Sequence, residues 1–127
     1  MGFQEVVDYF KKEYPDKNIV SLPQEDPAEI ICEIEPAQNH PSYSKAVAAI
    51  LKSKPHYHKQ SAETYRVIKG ELSLYVDGQC ISLAEGETHL VRPGQTHYAE
   101  GNFTLVEVSS SPGWTLGDHY LVSTEPA

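Results

Sequence analysis

Phe3, Val6, Val7, Phe10 and Tyr14 recur at steps of three and four, with Glu5, Lys11 and Lys12 elsewhere on the wheel. This spacing predicts one amphipathic helix, ended by Pro15-Asp16. Its mixed charges fit packing on the outside of the domain, or on a second subunit, better than a membrane surface. From Asn18 onward the helical period is gone, and short extended runs alternate with Pro, Gly, Asn and Asp. Ile19 to Leu22 reads as an edge run stopped by Pro23 and Pro27. Glu29 to Glu35 alternates, with Ile30, Cys32 and Ile34 facing one way and Glu33 and Glu35 the other. Pro36 to Ser42 reads as a loop, and Tyr43 to Leu51 resumes a strand pattern.

Glu71 to Val76 and Gln79 to Leu83 flank Asp77-Gly78, a dipeptide suited to the positive φ angles of a two-residue type I′ turn. Thr88 to Val91, Thr96 to Ala99 and Phe103 to Ser109 supply three more runs, with Gly94 and Gly101-Asn102 as punctuation. Ser110 to Asp118 reads as an irregular connection into a short apolar run, His119 to Val122. The expected class is all-β: a jelly-roll β-barrel over 18–127, preceded by one short N-terminal helix within 1–17. The mouth of such a barrel is a natural ligand cavity.

Composition narrows the partners. The 127 residues carry a net charge of -8 and a pI near 5.1, which argues against a nucleic-acid partner or an anionic membrane. No apolar run is long enough to span a bilayer, and no leader-like segment opens the chain, so neither membrane insertion nor processing is expected. Cys32 and Cys80 sit singly, without C-x-x-C spacing. Both are expected to be buried reduced thiols, in keeping with a cytoplasmic location.

The candidate chemistry lies between Pro55 and Gly70. His56 and His58 leave the same face of a strand, Glu63 follows on the next run, and a turn at Arg92-Pro93-Gly94 can return His97 toward them. Three imidazoles and a carboxylate suit a divalent Zn, Ni, Fe, Mn or Cu ion. His89 shares the parity of Val91 and faces either the interior, as a substrate group, or solvent. Lys52 and Lys54 share the parity of His56 and would enter the cavity on an unbroken strand; with Pro55 intervening, exposure is the default. His89 and Lys54 are the candidate catalytic groups. His40 and His119 read as ordinary solvated or packing residues, and Trp114 as a cover for the barrel mouth or an interface. No nucleophile elbow, phosphate loop or dinucleotide fingerprint is present, so any chemistry rests on the metal.

These residues resemble the cupin superfamily. Its first motif, G-x5-H-x-H-x3-4-E-x6-G, is met by His56, His58, Glu63 and Gly70, with Ile50 where the opening glycine stands. Its second, G-x5-P-x-G-x2-H-x3-N, is met by Gly86, Gly94 and His97, with Arg92 in place of the proline and Gly101-Asn102 displacing the final Asn by one. The form P-H-x-H-x4-E-T-Y-x-V looks most like mannose-6-phosphate isomerase-like cupins. The resemblance implies His56, His58, Glu63 and His97 as metal ligands, a homodimer, and a small polar substrate such as a sugar or sugar phosphate handled by isomerase-type chemistry. An iron-dependent dioxygenase and a non-catalytic small-molecule binding or sensing module are the alternatives.

Overall fold

A computed structural model describes residues 2–22 and 28–122; Pro23 and Pro27, expected to stop the first run, lie outside them. One helix, α1 (Phe3–Glu13), precedes ten strands: β1 (Asn18–Leu22), β2 (Glu29–Glu35), β3 (Ser44–Lys52), β4 (His56–Tyr57), β5 (Ala62–Lys69), β6 (Leu72–Val76), β7 (Gln79–Leu83), β8 (Thr88–Val91), β9 (His97–Ser111) and β10 (Tyr120–Leu121). Every paired strand is antiparallel. The sheet curls on itself as a jelly-roll barrel, in agreement with the expected class. No helix among the described residues is long and apolar enough to cross a membrane.

Strand β9 organises the barrel. Its first residues pair with β4 and β6, and its later ones with β3 and β5. The sequence pattern predicts two runs separated at Gly101-Asn102; the structure corrects this to one strand of 15 residues. The punctuation is a bend within it. Phe103 takes a φ of 50°, and a Cβ on Gly101 would collide with the Thr104 side chain and come within 3.0 Å of the Ile50 carbonyl. The partner strands shift register at the same level, between Ile50 and Lys52 and between Val67 and Lys69. A bulge of this kind bends a strand without ending it.

Two apolar clusters lie on either side of β2, β3 and β9. Ile50, Tyr65, Val67, Leu72, Leu74, Val91, Ala99 and Val106 fill the barrel. Val6 and Phe10 of α1 cover its outside, on Ile30, Cys32, Val47, Ala49 and Leu105. Burial on both faces explains why β3 reads A-V-A-A-I without polar alternation. It also fixes the sense of β2. Ile30 and Cys32 point out beneath the helix, while Glu29 and Ile31 lie opposite Ile50 and Ala48 and so share their inner face.

The Asp77-Gly78 turn forms as expected, with φ of 48° and 85°. Both cysteines are free, but only Cys32 is buried. Cys80 is exposed because it lies opposite Tyr75, on the face of β6 turned away from the core residues Leu74 and Val76.

Candidate metal centre

His56 sits on β4, directly opposite His97 on β9. His58 follows β4, and Glu63 begins the buried face of β5. All four side chains are buried, His97 completely, and one donor atom from each lies within 4.8 Å of the others. Glu63 Oε1 is 3.1 Å from His58 Nε2 and 3.1 Å from His97 Nε2. Neighbouring ligands about 2.1 Å from one ion stand about 3.0 to 3.4 Å apart, so this spacing fits a shared first-row cation.

The backbone sets which nitrogen faces inward. Nδ1–H of His56 donates to the Lys54 carbonyl at 2.8 Å, that of His58 to Asp118 at 2.7 Å, and that of His97 to Gln95 at 3.0 Å. Because a carbonyl can only accept, each neutral ring keeps its hydrogen on Nδ1 and aims the Nε2 lone pair inward. Two such lone pairs facing a carboxylate oxygen at 3.1 Å need a positive charge between them, either a proton or a metal ion. The donor set and its tautomers therefore fit a divalent metal.

Titration follows the same geometry. Burial opposes charge on Glu63, but hydrogen bonds with His58 and His97 outweigh it and hold the carboxyl well below its usual range. Burial likewise opposes the His58 imidazolium and is outweighed by Glu63, so its pKa rises. Burial, aided by nearby His97, pushes His56 down to about 3.

Asp118, in the 3₁₀ turn Leu116–Asp118, holds the loop that carries His58. Its carboxylate accepts backbone N–H groups from Lys59, Gln60 and Ser61 at 2.9 to 3.2 Å, while its carbonyl orients the His58 ring. The turn before His97 is tied to the same loop by Gly94 N–H, which donates to the His58 carbonyl at 2.6 Å. Ser110 Oγ donates to the second oxygen of Glu63 at 3.3 Å.

Other expected residues fall around the cluster. His89 lies opposite Tyr65, which places it on the inner face, half-buried. Lys52 and Lys54 are exposed, as their default reading has it; Lys54 contributes its carbonyl to the centre. His40 stays with its own loop, where Nδ1–H donates to the Tyr43 carbonyl at 2.6 Å.

Three residues escape the sequence reading: His119, Glu29 and Asp118. His119, read as an ordinary side chain, stacks on His56 with ring centroids 4.3 Å apart. Glu29, the inward carboxyl of β2, is raised to about 7, by burial first and by Glu63 second. Tyr65 is raised by burial and then by both of these carboxylates. Asp118 carries no local signal, because its partners are nearly 60 residues away. Glu29 had one, the period of β2, but only the pairing with β3 shows which face is inside.

The cupin domain family matches residues 48–108, a span that contains all four convergent side chains. No curated protein matches the chain. Among solved structures, Pac13, a nucleoside dehydratase from Streptomyces, is 14% identical with a TM-score of 0.73, covering 84% of this chain and 85% of that one. A variant of it is described with uridine. KdgF from a Halomonas species is 16% identical with a TM-score of 0.66, covering 76% and 89%. Oxalate decarboxylase from Bacillus subtilis is 14% identical with a TM-score of 0.70; the match covers 86% of this chain but 31% of that one. At these identities the likeness concerns fold. Together, the family match and the fold support the cupin superfamily.

Proposed function

We propose that this cupin-fold protein is an enzyme whose metal ion, held by His56, His58, Glu63 and His97, acts on a sugar or sugar phosphate in isomerase-type chemistry. The observation that carries the reading is the fixed set of three inward Nε2 lone pairs around Glu63 Oε1. A bound divalent ion supplies Lewis-acid polarisation of a carbonyl or hydroxyl oxygen. The chain supplies the rest. Glu29, held up by burial on the inner face of β2, would accept and return a proton. Tyr65 stays protonated beside the two carboxylates and serves as a hydroxyl donor. His89, half-buried on the same face, orients substrate oxygens.

Support for the substrate class comes from the motif's resemblance to mannose-6-phosphate isomerase-like cupins and from Pac13, a structural neighbour described with a ribose-bearing ligand. Support for a homodimer comes from that resemblance and from β1, which pairs only with β2 among the described residues and ends in exposed Leu22. The test is a pooled sugar and sugar-phosphate screen with metal-loaded protein. Isomer exchange is expected with at least one compound and is expected to disappear in His58→Ala. Absence of turnover across the pool, with metal bound, would leave a binding protein instead.

A further inference from the structure

Beyond the metal cluster, the segment after β9 builds a second feature at its edge. Trp114 is 41% exposed, yet it is fixed at both ends. Its backbone N–H donates to Ser44 Oγ at 2.8 Å. Gly113 before it donates to the Pro41 carbonyl at 2.9 Å and sits where a Cβ would come within 2.6 Å of Ala37. At the other end, the indole N–H donates to His119 Nδ1 at 3.2 Å, with the rings edge-on and their centroids 5.7 Å apart. His119 in turn lies flat against the metal-ligand candidate His56.

This chain of contacts has two consequences. An indole N–H can only donate, so His119 accepts at Nδ1 and carries its hydrogen on Nε2, which leaves that atom as a donor. A single exposed aromatic is unremarkable by itself, but one immobilised beside a ligand-ready cluster loses little freedom when a second ring covers it.

We infer that Trp114 and His119 form a ring-binding subsite, in which the indole packs against the C–H face of a sugar ring and His119 Nε2–H donates to one of its oxygens. This rests on the proposed sugar chemistry and adds the residues that select a cyclic substrate over an open-chain one. The ring belongs to a free sugar or to a sugar phosphate, since the C–H face is common to both.

Trp114 is the only tryptophan in the chain, so its emission reports directly on the subsite. Glucose, glucose 6-phosphate and ribose 5-phosphate are titrated separately into metal-free and metal-loaded protein, with affinities measured in parallel by calorimetry. A saturable change in Trp114 emission is expected with at least one of them; a response to glucose assigns the bare ring, and a response to phosphates alone assigns the sugar phosphate. Trp114→Ala is expected to weaken that ligand about tenfold, and Trp114→Phe, which keeps a ring, by less than about threefold. Unchanged emission with all three sugars, or equal affinity in Trp114→Ala, would overturn the subsite. If the protein takes up no metal but Trp114 still responds, the metal-dependent function fails and the subsite stands. If metal binds and sugars turn over while Trp114 stays silent, the subsite alone fails.

Discussion

At the scale of single residues, three backbone carbonyls matter as much as the imidazoles they orient. Lys54, Asp118 and Gln95 each hold an Nδ1–H, so Nε2 is the atom available to a cation in all three rings. The convergence of these four side chains was legible in the sequence, because H-x-H-x4-E keeps its donors on one short stretch and Pro93-Gly94 marks the turn that returns His97. His119 and Glu29 were not, since only long-range strand pairing brings them to the cluster. Glu29 has a measurable signature. Its carboxyl would ionise near 4.5 in the unfolded chain but near 7 in the metal-free fold, so the folded state binds more protons between those values. Stability therefore falls as pH rises from about 4.5 through about 7. Glu29→Gln should remove this fall, raising the stability of metal-free protein at pH 8 by about 1–3 kcal/mol while changing little at pH 4. Denaturant melts at the two pH values check it; an equal effect at both would mean that Glu29 is not held protonated by its surroundings.

Among the elements, β2 and β9 show where pattern reading stops. The alternation in β2 was correctly periodic, but both of its faces are covered, one buried under α1 and one half-buried toward the barrel, so periodicity alone could not say which was the inside. The glycine in β9 looked like a terminator because a bulge and a turn use the same residue types. The helix, by contrast, was plain from its spacing, and its weight can be measured. Phe10 is fully buried against the outer cluster, so Phe10→Ala should cost about 3–5 kcal/mol in urea unfolding while leaving the metal stoichiometry unchanged. A loss below about 1 kcal/mol would show that α1 is not seated as described. Asp118 tests the opposite coupling. Removing its carboxylate leaves three backbone N–H groups of the His58 loop without that acceptor. Asp118→Ala should therefore weaken metal binding by about 10- to 100-fold, as loss of a group supporting a ligand does. Unaltered metal affinity would show that the His58 loop needs no such support.

In the whole molecule, the four candidate ligands are spread over β4 and the loop after it, β5 and β9. An ion at their common point would tie those strands together and stabilise the fold by mass action, by about 2.7 kcal/mol at a hundred times its dissociation constant. The barrel itself was foreseeable from strand count and turn chemistry, and Trp114 already read as a cover for its mouth or an interface, whereas the anchors of the segment from Trp114 to Leu121 were not, because they are distant in sequence. The most direct measurement is a calorimetric titration of Zn or Mn into chelator-stripped protein, alongside His97→Ala. One ion per chain is expected in the native protein, and none held at comparable affinity in the variant. Failure of the native protein to bind either ion, or equal binding by His97→Ala, would contradict it.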